Sequence, residues 1–239
     1  MIAGRRILAI VPARGGSKGI PMKNLREVGG ISLVALAGMI AAGLAEVDRA
    51  VVSTDNEEIA AAAAAAGLEA SFRRPEGLSG DRIADWDVLH HALLEMERQD
   101  NVTYDIILML QPTSPGRRTD DVRQTLQMLV AGGFDSVWTM SETDSKCHPL
   151  KQFECSADGS FGYHDPRGAT IIARQQLGKL YHRNGVAYAI TRDCLVNQRS
   201  IMGAKPGAVI IERPLANIDT EIDLLWADFL ATRGELWGE

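Results

Sequence analysis

A glycine-rich segment near the amino terminus concentrates the side chains best suited to holding phosphate. Residues 13–24 read Ala-Arg-Gly-Gly-Ser-Lys-Gly-Ile-Pro-Met-Lys-Asn and follow an apolar run at residues 7–11. Such a loop can direct backbone N–H groups and ammonium groups to one point, where an anion binds. The candidate phosphate ligands are Arg14, Gly15, Gly16, Ser17, Lys18, Gly19 and Lys23.

The spacing in this loop differs from both common nucleotide-binding motifs. Neither the Gly-x4-Gly-Lys-Ser/Thr pattern nor the Gly-x-Gly-x-x-Gly pattern is present. A glycine-rich surface turn with solvated lysines is the alternative interpretation. It explains the composition but not the position of the loop directly after a predicted buried strand, so we favour phosphate binding.

Length and composition fit a globular α/β protein. The 239 residues are 46% hydrophobic and 23% charged, enough for one large domain or for one domain with a small appendage. The formal net charge of −6 argues against a nucleic-acid partner, because phosphate backbones favour basic surfaces. We see no targeting or membrane segment, and three cysteines without Cys-x-x-Cys spacing suggest neither a disulfide framework nor a zinc site. We expect a cytoplasmic protein.

Short apolar runs alternate with helical patterns over most of the chain. Strands are predicted at 7–11, 50–53 and 105–110, with 68–72 as a further edge strand. Asp55 is expected to begin a helix, with Glu58 completing a capping box. Strand–helix alternation predicts a sheet that is largely parallel.

Two later stretches add polar residues where strands should end or begin. Gln-Pro-Thr-Ser-Pro at residues 111–115 follows the strand predicted at 105–110. Ligands of open α/β sheets bind at the carboxyl ends of strands. The segments 173–177, Ala-Arg-Gln-Gln-Leu, and 181–188, Tyr-His-Arg-Asn-Gly-Val-Ala-Tyr, lie further along.

Taken with residues 13–24, these motifs resemble the acylneuraminate cytidylyltransferases, the CMP-sialic acid synthetase family, over residues 5 to about 230. The resemblance implies an α/β fold, a Rossmann-like three-layer nucleotidyltransferase with a mainly parallel mixed sheet. Residues 1–140 and 184–239 would form that domain. Residues 141–183, where strand–helix alternation breaks down, would form a small dimerisation and substrate-side insertion.

The activity implied by the resemblance is transfer of CMP from CTP to the anomeric hydroxyl of a nine-carbon sialic-type acid, with release of pyrophosphate. The acid would belong to the N-acetylneuraminate, legionaminate or pseudaminate class. The family also implies a homodimer whose insertion reaches into the partner's active site. We expect Mg²⁺ as cofactor, because it binds through one or two carboxylates and substrate phosphates.

On the nucleotide side, the resemblance implies that the glycine-rich loop holds the triphosphate and that Asn24 contacts the nucleotide. It also places Arg74 and the loop Arg82-Ile-Ala-Asp85 near the base. Asp85 could accept a hydrogen bond from an amino group, which both cytosine and guanine offer. Asp85 could instead cap the helix predicted at 86–99, and we favour capping.

On the sugar side, Arg174 and Gln175 match the Arg-Gln pair of the family, and Arg174 is our first choice for binding the substrate carboxylate. Lys151 matches a substrate-side lysine. Gln111 and Tyr188 would hydrogen-bond sugar hydroxyls, although Tyr188 could equally be a core residue. Relatives often carry arginine near His182, and Arg183 lies beside it here, so the sequence leaves open which of the two faces the site.

The metal motif departs from the family pattern. Relatives carry Asp-Ile-Asp before the last helix, whereas this chain has Asn217-Ile218-Asp219. Residues two apart in an extended segment share one side, so both side chains could face a metal. Asp219 is the expected ligand and catalytic residue, and Asn217 is a weakened one because its amide carries no charge.

Three alternatives stay open at this point. An eight-carbon Kdo cytidylyltransferase would use similar chemistry, although the first loop of that family lacks this Gly-Gly-Ser-Lys and Lys-Asn pairing. GTP stays open as the nucleotide, because cytosine and guanine both offer an amino group to the loop at residues 82–85. A nucleotide-binding protein that has lost turnover is also conceivable, because Asn217 weakens the metal motif.

Overall fold

The computed structural model describes residues 1–237. Its strands are β1 (Ile7–Pro12), β2 (Glu27–Val28), β3 (Ile31–Ser32), β4 (Arg49–Ser53), β5 (Ile106–Met109), β6 (Ser136–Glu142), β7 (Phe153–Cys155), β8 (Phe161–Tyr163), β9 (Tyr181–Thr191) and β10 (Pro206–Ile210). Its helices are α1 (Leu33–Ala42), α2 (Glu57–Ala65), α3 (Asp85–Asp100), α4 (Thr119–Gly132), α5 (Arg192–Val196) and α6 (Glu221–Thr232).

One mixed sheet positions the site, with its strands in the order β10-β6-β9-β5-β1-β4. The pairs β1–β4, β1–β5 and β10–β6 are parallel, whereas β9 runs antiparallel to both of its neighbours. The predicted α/β fold with a mainly parallel mixed sheet is confirmed. The carboxyl ends of β1, β4 and β5 therefore meet at one edge, where ligands of open sheets bind.

Burial on both faces explains the continuous apolar sequence of β1. Ile7, Ala9 and Val11 contribute to a core shared with α1, α2 and α4. Leu8 and Ile10 contribute to a second core, shared with α3 and α5. A central strand with helices on both faces needs apolar side chains at every position. This gives three layers, and α6 packs separately with the β2–β3 hairpin.

Two local predictions were wrong. Residues 68–72 do not form a strand: only Glu69 pairs with β4, because the Leu68 N–H closes the end of α2 and the Arg74 N–H returns to the Thr54 carbonyl. The cap of α2 is Asn56, whose side chain accepts from the Ile59 N–H at 3.0 Å, and not Asp55.

The segment between β6 and β9 lies outside the main sheet. It contains short 3₁₀ turns and the antiparallel β7–β8 hairpin. Phe153, Phe161 and Tyr163 pack on one another on this hairpin but remain 49%, 71% and 41% exposed. None of the helices in the described part of the chain has the length and apolarity that crossing a bilayer requires.

Gly185 lets β9 pass the loop that follows β5. Its φ is +76°, and a Cβ built there would collide with the Ser114 hydroxyl and the Gln111 side chain. The Ser114 hydroxyl donates to the Asn184 carbonyl at 2.7 Å, so the two segments are locked together. Only glycine satisfies both the backbone conformation and the close approach.

We therefore predict that Gly185→Ala lowers the free energy of unfolding by about 2 to 4 kcal/mol, because it adds backbone strain and a buried collision. Urea unfolding measures this change. The control is Gly77→Ala, where no atom lies within 4 Å of the added Cβ. The control should stay within about 0.5 kcal/mol of the parent. Equal stability of the two variants would show that the contact does not constrain β9.

Candidate active site

A cleft of about 490 Å³ lies at the carboxyl ends of β1 and β5. The structure brings together at this cleft most of the nucleotide-side residues predicted from the sequence. The predicted residues that line it are Arg14, Ser17, Lys18, Lys23, Asn24, Arg74, Asp85, Gln111 and Asp219.

Internal hydrogen bonds fix the shape of the glycine-rich loop. The Gly15 N–H donates to the Asp55 carboxylate at 2.8 Å, and the Ser17 N–H donates to the Gly15 carbonyl at 3.0 Å. The Asn24 side chain donates to the Arg14 carbonyl at 2.9 Å. The Gly15 and Ser17 N–H groups are thus already engaged within the protein. This also explains why Asp55 does not cap α2.

Carboxylates already contact the loop cations. Asp81, which the sequence analysis did not single out, lies 3.0 Å from the Arg14 guanidinium and 2.5 Å from the Lys18 ammonium. The Lys18 contact keeps the pKa of Asp81 below its ordinary value. Asp81 stands in the loop before α3, and its only sequence signal was its proximity to residues expected near the base.

Lys23 connects the loop to the segment before α6. Its ammonium donates to the Ile218 carbonyl at 2.8 Å and to the Asp219 carboxylate at 3.1 Å. The Ile218 N–H in turn donates to the Thr113 carbonyl at 2.9 Å. Thr220 caps α6 by accepting from the Asp223 N–H, and the Asp223 carboxylate accepts from the Thr220 N–H at 2.7 Å. These bonds hold Asp219 at the rim of the cleft.

Arg74 is a buried cation at the floor of the cleft. Its side chain is 4% exposed and donates to the Ser53 hydroxyl at 3.0 Å and to the Ser53 carbonyl. Burial lowers the pKa of Arg74 to about 10, so it stays protonated at neutral pH.

Arg117, which the sequence analysis missed, positions Gln111. Its guanidinium is buried and donates to the Gln111 carbonyl at 2.6 Å, to the Gly185 carbonyl at 3.1 Å and to the Val186 carbonyl. Burial lowers the pKa of Arg117 to about 9. Arg117 is one of two adjacent arginines in a Pro- and Gly-containing loop, and such a pair carries no pattern that separates this role from surface charge, so only the structure shows it.

Asp85 does not cap α3, the helix that was predicted at residues 86–99. It is the first residue of α3, and Ala84 occupies the N-cap position without a side-chain bond. The Asp85 carboxylate lies 3.6 Å from the Arg183 guanidinium and lines the cleft. The capping prediction was wrong because the helix begins one residue earlier than the sequence pattern indicated.

The predicted sugar-side residues do not come together in this chain. Lys151, Arg174 and Gln175 lie on exposed 3₁₀ turns between β6 and β9, outside the residues that line the cleft. Tyr188 is fully buried among core residues of β9, and burial raises its pKa. Its hydroxyl has no hydrogen-bond partner within residues 1–237. In this conformation Tyr188 is a core residue, and the prediction that it contacts substrate is not met.

A second cleft, of about 690 Å³, adjoins the first. His182 and Arg183 both line it, and the His182 ring lies 3.2 Å from the Thr143 hydroxyl. Asn217 lines the second cleft, whereas Asp219 lines the first. The Asn217 amide reaches the Asp219 carboxylate at 3.4 Å. The short segment between these two residues therefore lies where the two clefts meet.

Structural comparison supports the fold independently of the motifs. A solved structure of CMP:2-keto-3-deoxy-manno-octonic acid synthetase in complex with CTP superposes with a TM-score of 0.67. The match covers 96% of this chain and 99% of that one at 21% identity, which shows a shared fold.

Sequence comparison identifies the family. The CMP-N,N'-diacetyllegionaminic acid synthase of Legionella pneumophila is 30% identical over 93% of this chain and 94% of its own length. The pseudaminic acid cytidylyltransferase of Campylobacter jejuni is 28% identical over 93% of this chain and 95% of its own length. The cytidylyltransferase family model matches residues 8–198. The chain therefore belongs to the cytidylyltransferase family.

Proposed function

We propose that this protein transfers CMP from CTP to the anomeric hydroxyl of a nine-carbon sialic-type acid and releases pyrophosphate. The observation that carries the proposal is the cleft at the carboxyl ends of β1 and β5, where Arg14, Lys18, Lys23 and Arg74 converge beside Asp219. Membership of the cytidylyltransferase family supports CTP as the nucleotide. Relatives named for legionaminic and pseudaminic acids support the substrate class.

The reaction exchanges one phosphorus–oxygen bond for another. The anomeric oxygen bonds to the α-phosphorus and its hydroxyl proton passes to solvent, while the bond from that phosphorus to the bridging oxygen breaks and pyrophosphate leaves with the electron pair. Negative charge dominates both reactants, so positioning and charge neutralisation supply most of the acceleration. Arg14, Lys18 and Lys23 would neutralise the phosphates, and Arg74 would hold the nucleotide from the floor of the cleft.

The charge of the cleft argues for a divalent cation. Four cationic side chains and the carboxylates of Asp81, Asp85 and Asp219 line it, a formal excess of one positive charge. A triphosphate carries about four negative charges, so the protein alone leaves most of them uncompensated. Asp219 fits Mg²⁺ as a rim carboxylate, with substrate phosphates as further ligands and the Asn217 oxygen as a weak one. When bound, Mg²⁺ would lower the pKa of the attacking hydroxyl.

The sugar side of the proposed site would be completed by a second subunit. Lys151, Arg174 and Gln175 are exposed on the insertion and are not among the residues that line the first cleft of their own chain. We propose that the protein is a homodimer in which these residues complete the partner's site, while Gln111 contributes from within the cleft. The exposed aromatic cluster on the β7–β8 hairpin supports this, because such patches commonly mark interfaces.

A nucleotide-binding protein with weak turnover is the second candidate, because Asn217 replaces a charged metal ligand. An assay of pyrophosphate release separates the two. We expect release with CTP, Mg²⁺ and at least one member of a panel of nine-carbon acids, none with GTP, and loss of release with EDTA. Release with an eight-carbon Kdo acid only, or with GTP only, would contradict the proposed substrates. Nucleotide binding without release from any acid would favour the weakened binder.

The proposed phosphate-binding role of Lys18 and the proposed metal-binding role of Asp219 can be tested separately. We predict that Lys18→Gln and Asp219→Asn each lower turnover by about a hundredfold or more while the melting temperature changes little, because both side chains act on charge in the transition state. Matched controls are Lys205→Gln, at the opposite end of the sheet, and Asp120→Asn, which is 91% exposed. If either test variant turns over nearly as fast as the parent, the role assigned to that residue is refuted.

A substitution on the β7–β8 hairpin tests the proposed homodimer. Phe161→Asp should shift the protein from dimer to monomer in sedimentation velocity, because it places a charge in the proposed interface. The control is Leu225→Asp on α6, where the parent side chain is 70% exposed, close to the 71% of Phe161. It should leave the dimer intact. A parent protein that is monomeric at micromolar concentration would refute the shared site.

A further inference from the structure

Asp81 contacts two cations of the glycine-rich loop at the same time. Its Oδ1 lies 3.0 Å from an Arg14 guanidinium nitrogen, and its Oδ2 lies 2.5 Å from the Lys18 ammonium. Each carboxylate oxygen is thus matched to a different cation. Two oxygens of a phosphate group would engage the same pair of side chains in the same way.

The carboxylate is held by these cations and by little else. Its side chain is 33% exposed, and within residues 1–237 no backbone N–H donates to it. Although the Lys18 side chain is 84% exposed, its ammonium group contacts the Asp81 carboxylate. Asp219 differs, because its partner Lys23 is also bound to the Ile218 carbonyl. Asp81 can therefore leave its cations without breaking another bond in the described chain.

We propose that Asp81 is an internal counter-ion that occupies the phosphate position of the cleft and weakens the binding of both CTP and pyrophosphate. The inference rests on the proposed function, since it assumes that Arg14 and Lys18 hold phosphates. A bound phosphate displaces the carboxylate from these cations. Asp81 then either moves away or stays close to a group of the same charge, and both cost binding free energy.

The same contact favours product release. Once pyrophosphate begins to leave, Asp81 can take over Arg14 and Lys18, so the cations are not stranded without a partner. Before nucleotide binds, it holds the two cations together against their mutual repulsion. Asp81 thus acts as an affinity-setting residue for the phosphate end of the cleft, separate from the metal carboxylate Asp219.

The test measures the binding of CTP and of inorganic pyrophosphate by calorimetry, in EDTA, at 50 mM and at 1 M KCl. Asp81→Asn should bind both ligands about fivefold more tightly than the parent at low salt, the upper end of the effect of one exposed ion pair. The Debye screening length is about 3 Å at 1 M salt. The ratio of the parent's dissociation constant to the variant's should therefore fall toward one. Asp81→Ser, a smaller uncharged variant, should behave in the same way.

The control is Glu76→Gln, which changes the net charge equally but lies outside the residues that line the cleft. It should bind both ligands as the parent does. Weaker binding in both Asp81 variants, or a gain no larger than that of the control, would overturn the counter-ion role. If the parent binds neither CTP nor pyrophosphate in EDTA, the same comparison is made with Mg²⁺, and absence of binding there as well would refute the proposed function along with the inference. If the parent binds these ligands and the Asp81 variants bind them no more tightly than the parent does, the inference alone is refuted.

Discussion

The structure depends on a concentration of positive charge at one edge of the sheet. Arg14, Lys18 and Lys23 extend from a loop that begins where Pro12 ends the ladder of β1. Arg74 adds a fourth charge from beneath. Cations this close repel one another, and the fold holds them with carboxylates, backbone carbonyls and loop hydrogen bonds. A ligand that carries several negative charges is the natural partner of such an arrangement.

The remaining elements serve to hold that edge. Arg117 binds carbonyls of the loop after β5 and of β9, and Gly185 allows these two segments to touch. Lys23 ties the amino-terminal loop to the segment before α6, so residues nearly two hundred positions apart in sequence share one cleft. The same segment connects the two clefts, because Asp219 lines the first cleft and Asn217 lines the second.

The sequence predicted the features that rest on local patterns. Continuous apolar runs identified β1 and β5, and the glycine-rich motif identified the side chains that line the cleft. The roles of Asp81 and Arg117 could not be predicted from the sequence, because each depends on contacts between segments that only folding brings together. Asp85 was misassigned because α3 begins one residue earlier than predicted, and its ion-pair partner, Arg183, lies on β9, far along the chain. Tyr188 alternates correctly for a strand, but burial on both faces removes the distinction between inward and outward positions.

A crystal structure with CTP bound would test phosphate binding at this cleft. The triphosphate should lie in the first cleft, within hydrogen-bond distance of Arg14 and Lys18, with the Asp81 carboxylate displaced from both. A structure in which those side chains point into solvent, while CTP occupies another surface or does not bind, would contradict it.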